Sequence, residues 1–236
     1  MITLPEAFEQ EMKQLLGEEE YEAYRKTFDE AVHRGLRVNN GKISTEEFLR
    51  RTDIPLKKVP WIPNGFYYDE ESCNPAKDAD YYAGLYYLQE PSAMTPASRL
   101  PIEPDDRVLD LCAAPGGKSM NVALKLTDGS VEARDLTPLK TQLIRENIAR
   151  LGLDNISVKE WDARVSDTAS KESADIVLAD LPCSGLGIIG RKPDIKYHTD
   201  IEKIEQLASL QREILTVVQE YVKPGGTLVY LSLIHI

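Results

Sequence analysis

The sequence predicts an α/β protein in which a doubly wound parallel sheet follows a smaller α+β module. From about Pro104 onward, short apolar segments alternate with amphipathic helical segments, which is the pattern of a parallel sheet covered by helices on both faces. The first hundred residues contain short strands and helices without that alternation. A chain of 236 residues, 42% hydrophobic and 28% charged, can bury such a core. We therefore expect one domain over residues 1–100 and a second over 101–230.

The N-terminal module carries local start and stop signals. "TLPE" at Thr3 and "STEE" at Ser44 fit the capping box, in which the hydroxyl accepts a backbone N–H and the glutamate returns to the cap residue. "GLRVN" and "GFYYD" predict short strands. The first helix ends at Gly17 after an apolar stripe of Phe8, Met12, Leu15 and Leu16. In "YYAGLYYLQEPSAM" we favour packing between two modules over base stacking for Tyr81, Tyr82, Tyr86 and Tyr87.

The second module reads as five strands with helices between them. The strand segments are "RVLDL", "SVEARD", "NISVKEWD", "ADIVLAD" and "GGTLVY". The helix in "TPLKTQLIRENIARLG" has Thr137 as cap, Pro138 at its first position and Gly152 as its end. Its apolar stripe is Leu139, Leu143, Ile144, Ile148 and Leu151; a later helix opens at "TDIE" with Ile204, Leu207, Ile214, Leu215 and Val218 on one face. Ligands of such sheets bind at the carboxyl ends of the strands.

Composition excludes several classes of protein. The net charge of −11 argues against a nucleic-acid partner unless a local basic patch provides one. The three scattered cysteines argue against a disulfide framework and a zinc cluster, so we expect no metal. No apolar run approaches the length of a membrane span, and the first residues lack a signal-peptide pattern. We therefore expect a cytoplasmic protein with no membrane partner.

The segment "VLDLCAAPGGKS" has the order strand, small-residue turn and helix start. Gly116 and Gly117 allow a ligand to approach the backbone, and the helix N-terminus offers free N–H groups. The "GKS" triplet suggests a phosphate loop, but that motif needs glycine where Cys112 stands. A phosphate-loop nucleotidase is therefore the least favoured interpretation.

Two carboxylates follow the next strands. Asp135 ends "SVEARD", where a carboxylate can hold the two ribose hydroxyls of S-adenosylmethionine, and Asp162 ends "SVKEWD", where one can meet the adenine amino group. Either aspartate alone could simply cap the next helix. Because the glycine loop and both carboxylates occur in chain order, we favour an S-adenosylmethionine site.

A long irregular segment, "LPCSGLGIIGRKPDIKYH", follows the fourth strand, and such segments are often functional. Asp180 and Cys183 lie at the carboxyl edge of the sheet, beside the expected cofactor. The alternative for Cys183 is an inert buried thiol, which its place in a Pro/Gly loop disfavours. A basic cluster of Arg191, Lys192 and Lys196 could meet RNA phosphates, or could be a solvated loop.

"LDLCAAPGGKS" together with "DLPCSGLG" resembles the RNA cytosine-5 methyltransferases of the Nol/Nop/Sun type, whose bacterial members RsmB and RsmF act on ribosomal RNA. The resemblance covers nearly the whole chain, with residues 1–117 most like the RsmF branch and "GLGIIGRKPDIKY" more like RsmB. It implies a Rossmann-like class I methyltransferase domain lacking its last strands, and 16S ribosomal RNA as partner. It assigns S-adenosylmethionine binding to Cys112, Ala113, Ala114, Pro115, Gly116, Gly117, Lys118, Asp135, Asp162 and Asp180.

The resemblance also implies a two-cysteine reaction. A thiolate adds to carbon 6 of cytosine, carbon 5 then takes the methyl group, and a base removes the carbon 5 proton. The cysteine matching Cys183, near Asp180, assists release, and the attacking cysteine lies in a Ser-Thr-Cys segment directly after "GGTLVY". Here "LSLIHI" follows instead. We expect residues 231–236 to be a non-native tail from a sequencing adaptor, the natural chain to continue, and the chain as given to be inactive.

Two other functions remain open on the residues alone. A methyltransferase acting on a protein or small molecule agrees with the acidic charge. A non-catalytic RNA-binding assembly factor needs no nucleophile. Turnover by the chain as given would make Cys183 the attacking thiol.

Overall fold

The computed structural model describes residues 3–29, 34–185, 195 and 201–232. These residues form a four-stranded antiparallel sheet followed by a five-stranded parallel sheet, so the predicted α/β fold is confirmed. The first sheet contains β1 Arg34–Val38, β2 Leu56–Lys58, β3 Gly65–Tyr68 and β4 Tyr86–Leu88. The second contains β5 Arg107–Leu111, β6 Ser130–Asp135, β7 Ile156–Glu160, β8 Ala174–Asp180 and β9 Val222–Leu231.

Helices flank both sheets. In the part of the chain that the structure describes, five α-helices belong to the N-terminal part: α1 Glu6–Leu16, α2 Glu18–Thr27, α3 Thr45–Arg51, α4 Ala79–Tyr82 and α5 Pro91–Arg99. Three of the described α-helices belong to the parallel sheet: α6 Gly117–Ala123, α7 Pro138–Leu151 and α8 Ile201–Val218. Within the described ranges, none of these helices has the length and apolar content to cross a membrane.

The antiparallel sheet has the strand order β2-β3-β1-β4. One face buries Leu36, Phe66 and Tyr86 against Phe48 of α3. The start of α3 is capped as predicted, because the Ser44 hydroxyl accepts the Glu47 N–H at 3.1 Å.

The capping box predicted at Thr3 is wrong. Helix α1 begins after Pro5, and no side chain caps it. The proline occupies the cap position itself, so the threonine lies too far from the helix start to cap it. The predicted apolar stripe buries no residue of α1 either, and Leu15 is exposed.

The parallel sheet has the strand order β7-β6-β5-β8-β9. The order reverses between β5 and β8, which places the topological switch point, where ligands of such sheets bind, at the carboxyl ends of these two strands. Alternate residues of β8 face opposite layers: Ile176 packs with Val122 of α6, and Val177 packs with Ile214 of α8. Helices therefore cover both faces, as the strand–helix alternation predicts.

Helix α7 has the predicted ends and a different buried face. Thr137 caps it, Pro138 occupies its first turn and Gly152 ends it in the left-handed conformation. Leu139 is 73% exposed, so its place in the predicted stripe is wrong, as is that of the exposed Leu143. The face on the sheet is formed by Thr141, Ile144, Ile148 and Leu151. These four residues are spaced three or four positions apart and so share one helical face, whereas Leu139 and Leu143 lie outside it.

The two parts of the chain join at the last turn of α7. The Asn39 side chain donates to the carbonyl oxygens of Gly84, at 2.8 Å, and Leu151, at 2.9 Å. The Arg150 guanidinium lies 4.1 Å from the centre of the Tyr81 ring. Packing between the modules is confirmed for Tyr81 and Tyr87, which contact Arg150 of α7. Tyr86 is buried within the core of the N-terminal module instead, and Tyr82 is 68% exposed.

Candidate cofactor and catalytic site

The loop after β5 lies at the switch point of the parallel sheet. It turns within a few residues because Cys112 and Gly116 both adopt positive φ angles, 60° and 98°, and the Ala114–Pro115 peptide is cis. Two backbone hydrogen bonds hold the turn, from Ala113 N to Arg134 O at 2.9 Å and from Gly116 N to Ala113 O at 2.7 Å. Helix α6 therefore starts directly at the sheet edge.

A side chain at either glycine of the loop would crowd its neighbours. A Cβ on Gly116 would lie 3.2 Å from Ile144 Cγ2 of α7, in addition to the left-handed φ. A Cβ on Gly117 would lie 3.0 Å from both the Tyr87 ring and the Gln89 amide. The loop is thus closely packed between α7 and the N-terminal module.

Asp135 connects the end of β6 to this loop. Its carboxylate is buried and accepts the Ala114 N–H at 2.9 Å and the Leu136 N–H at 2.8 Å. The Lys140 ammonium lies 3.0 Å from the same carboxylate. A carboxylate that is held by two backbone N–H groups and paired with an ammonium therefore borders the loop on the β6 side.

Asp180 connects the loop to the other neighbouring strand. Its carboxylate, at the end of β8, accepts a hydrogen bond from the Lys118 ammonium at 2.5 Å. Lys118 lies in the first turn of α6, directly after the glycines. The structure thus brings the predicted loop residues, Asp135 and Asp180 together at one edge.

Asp162 lies at the same edge, but its carboxylate is already hydrogen-bonded to another side chain. Its neighbour Trp161 donates a backbone hydrogen bond to Asp135 O at 2.9 Å. Both carboxylate oxygens accept hydrogen bonds from Arg164, the shortest at 2.7 Å, and these bonds lower the pKa of Asp162. A further donor at this carboxylate would therefore share it with Arg164 or replace Arg164.

Sequence reasoning missed Asp110 on β5. The residue is fully buried, and Ser119 donates to its Oδ2 at 2.5 Å, while Oδ1 has no hydrogen-bond partner among the described residues. Burial raises the pKa of this carboxyl to about 7, against the opposing effect of the Ser119 hydrogen bond. An aspartate inside the apolar run "VLDL" was the available signal.

The cysteines differ in their fitness for nucleophilic chemistry. Burial, with a further contribution from Asp135, raises the pKa of the Cys112 thiol to about 12, so this residue is a protonated thiol at neutral pH. Cys183 is half-buried, three residues after Asp180, at the mouth of the site. Cys73 lies in the N-terminal module, where its thiol donates to Asp69 O at 3.2 Å.

Several predicted features lie outside the described residues. These include Arg191, Lys192 and Lys196, the proposed start of α8 at Thr199, and residues 233–236. Of the segment 231–236, Leu231 continues β9 and pairs with Asp180, and Ser232 follows the strand. The basic cluster stays a prediction.

The described site offers the groups that S-adenosylmethionine needs. Carboxylates at the ends of β6 and β8 flank the loop, and a third follows β7. Asp110 adds a buried carboxyl oxygen without a partner beneath the loop. Such a donor and acceptor set fits a ligand with ribose hydroxyls, an amino group and a charged end. The residues present therefore fit the cofactor that the sequence predicts.

Family models match both parts of the chain. The model of the 16S rRNA methyltransferase RsmB/F matches residues 97–233, and the model of the N-terminal domain of 16S rRNA methyltransferase RsmF matches residues 4–91. Ribosomal RNA small subunit methyltransferase F of Citrobacter koseri is 32% identical over 239 residues, which cover 97% of this chain and 50% of that protein. The chain thus spans about half the length of the curated relatives it matches.

Solved structures give the same fold. A methyltransferase homolog protein from Pyrococcus horikoshii is similar with a TM-score of 0.75 and 28% identity, covering 97% of this chain and 77% of that one. The crystal structure of PH0851 is similar with a TM-score of 0.87 and 27% identity, covering 97% of this chain and 52% of the other. Both similarities extend over the N-terminal module as well as the parallel sheet.

Proposed function

The chain belongs to the RsmB/F family of 16S rRNA methyltransferases, and from this membership we propose that it serves S-adenosylmethionine-dependent methylation of cytosine C5 in RNA, with 16S ribosomal RNA as substrate, in the cytoplasm. One observation carries the proposal. The loop Cys112–Lys118 is bonded on one side to Asp135 and on the other to Asp180, at the switch point of the sheet, with Cys183 three residues beyond Asp180.

S-adenosylmethionine supplies a methyl group on a positively charged sulfur. Asp135 would accept hydrogen bonds from the ribose hydroxyls, since its position is fixed by two backbone N–H groups. Asp162 would accept the adenine amino group after exchanging its Arg164 partner. Asp180, held by Lys118, would border the charged end of the ligand.

Cytosine C5 is a poor nucleophile, so the reaction needs a thiolate to add to C6 and a base to remove the C5 proton afterwards. The raised pKa of Cys112 makes it unsuited to attack. Cys183, half-buried at the mouth of the site, takes the product-release role that the family resemblance gives it.

The 236-residue polypeptide has no cysteine after Cys183. In the family that it resembles, the attacking cysteine lies in a Ser-Thr-Cys segment directly after the strand that corresponds to β9. Leu-Ser-Leu stands at residues 231–233. We therefore expect this polypeptide by itself to bind the cofactor without turnover.

Cofactor binding is the first test. Calorimetry with S-adenosylhomocysteine on the 236-residue chain should show binding, and Asp135→Asn should weaken it about tenfold or more, because a charged acceptor becomes neutral. Asp154→Asn is the matched control, since Asp154 is exposed in the turn before β7, at the other end of the sheet. Absence of binding by the unchanged chain contradicts the proposal.

Turnover is the second test. We expect no transfer of labelled methyl groups to 16S ribosomal RNA by the unchanged chain. Transfer yielding 5-methylcytosine should appear after Leu231→Ser, Ser232→Thr and Leu233→Cys together restore the attacking thiol. Adding Cys183→Ser should then accumulate a covalent RNA–protein adduct, because release is impaired.

The distribution of label separates the alternatives. Label in protein, in a small molecule or at another RNA position contradicts cytosine C5 methylation. Label in 5-methylcytosine from the unchanged chain would keep the reaction and identify Cys183 as its nucleophile.

A further inference from the structure

A buried glutamine bridges the two loops at the catalytic edge of the sheet. Gln211 of α8 is 2% exposed. Its amide nitrogen donates to Pro182 O at 2.7 Å and to Ser232 Oγ at 3.2 Å. Its amide oxygen accepts the Tyr230 hydroxyl at 2.5 Å. Both the amide nitrogen and the amide oxygen of this buried side chain are therefore hydrogen-bonded.

The partners of this amide lie at the ends of two adjacent strands. Pro182 follows β8 and directly precedes Cys183, while Tyr230 lies near the end of β9 and Ser232 follows it. A backbone hydrogen bond from Leu181 N to Leu231 O, 3.2 Å long, continues the pairing of the two strands to this point. The Gln211 side chain bonds Pro182 and Ser232 just after this backbone hydrogen bond, where the two strands end.

We propose that Gln211 is a positioning residue that holds the Pro182–Cys183 peptide at a fixed spacing from the end of β9, and so directs the Cys183 thiol toward the target base. The proposal rests on the proposed function, in which Cys183 and the segment after β9 act on one cytosine. The Gln211 amide donates to the Pro182 carbonyl and accepts from the Tyr230 hydroxyl at once, so it links the two strand ends.

Two substitutions separate the halves of the bridge. Gln211→Glu keeps the size of the side chain and the acceptor for Tyr230, but it loses the donor and opposes a carboxylate to the Pro182 carbonyl. Tyr230→Phe removes the hydrogen bond from the Tyr230 hydroxyl to the Gln211 amide oxygen. This variant should destabilise the fold less than Gln211→Glu, since Tyr230 is partly exposed. Gln206→Glu is the matched control, because Gln206 is exposed on the same helix and its amide donates to Glu202 at 3.2 Å.

The readout is the rate at which iodoacetamide alkylates each cysteine, measured by peptide mass spectrometry. We expect Gln211→Glu to raise the Cys183 rate about tenfold, because the loop loses a buried hydrogen bond and opens more often. Tyr230→Phe should give a smaller rise, and Gln206→Glu should leave the rate within about twofold of the unchanged chain. The half-buried Cys112 reports general loosening of the fold.

Unchanged Cys183 rates in both Gln211→Glu and Tyr230→Phe would overturn the proposal. An equal rise at Cys112 and Cys183 would also overturn it, because that pattern indicates a general structural role. If Gln211→Glu does not fold, Tyr230→Phe decides the question. The assay needs neither cofactor nor RNA, so its outcome is independent of whether the proposed methylation is correct.

Discussion

The buried carboxyl of Asp110 links the stability of the fold to pH. Asp110→Asn replaces the carboxyl with an amide of the same shape, and the amide oxygen can still accept the Ser119 hydrogen bond. The ionised carboxylate is disfavoured by burial and by the neighbouring Asp180 and Asp135, and is favoured by Ser119 and Lys118. Removing the titration should therefore change how stability depends on pH.

The magnitude follows from the two pKa values. Asp110 titrates at about 7 in the folded chain and at its ordinary 3.8 in an unfolded chain. Between these values the unfolded chain releases its proton and the folded chain retains it, so this group makes the protein less stable as pH rises. At about 1.36 kcal/mol for each unit of pKa, the full effect is about 4 kcal/mol.

The assay is urea unfolding of both proteins at a series of pH values from 4 to 8. The free energy of unfolding of Asp110→Asn minus that of the unchanged chain should rise by about 3 kcal/mol from pH 4 to 7, which is most of the full effect, and then level off. Asp154→Asn serves as the exposed control. A difference for Asp110→Asn that is independent of pH, or that falls, would refute the reasoning.

Two further substitutions test the packing. Gly84→Ala should destabilise the chain by several kcal/mol more than Gly225→Ala, because the Cβ added at Gly84 would lie 1.9 Å from the Arg150 carbonyl oxygen. Gly225 has a similar φ but open space around it. Thermal unfolding measures both losses of stability, and equal losses would contradict the prediction. Arg134→Leu should cost about 3 kcal/mol or more in urea unfolding, because the buried guanidinium that bonds Asp167 at 2.8 Å is lost; a loss below about 1 kcal/mol contradicts a structural role for this pair.

Local signals in the sequence were sufficient for most elements. Thr137, Pro138 and Gly152 act within a turn of the helix ends that they define, so α7 was predicted with its correct limits. The strand segments were recognisable because a parallel sheet buried on both faces needs short apolar runs. The same local reasoning failed at Thr3, where a proline occupies the cap position, and at Leu139, where the apolar pattern admits more than one helix face.

The composition of the site was also predictable. The glycine loop and the strand-end carboxylates could be placed at one edge because all parallel strands end there. The hydrogen bonds from Arg164 to Asp162 were not predicted, although the two residues are only two positions apart, because a partly exposed carboxylate can bond many neighbours. The apolar run around Asp110 is a local signal of its burial, but it does not specify the contact with Ser119 of α6.

The sequence by itself determined the alternation of strands and helices, the ends of α7 and the chemical groups of the site, because each depends on neighbours within a few residues. Only the tertiary structure decided which of these groups meet. The bonds Ala114–Asp135, Lys118–Asp180 and Gln211–Pro182 join residues 21, 62 and 29 positions apart. Such contacts follow from the order of strands in the sheet and the helix layers upon it, which are set by the burial of the whole core.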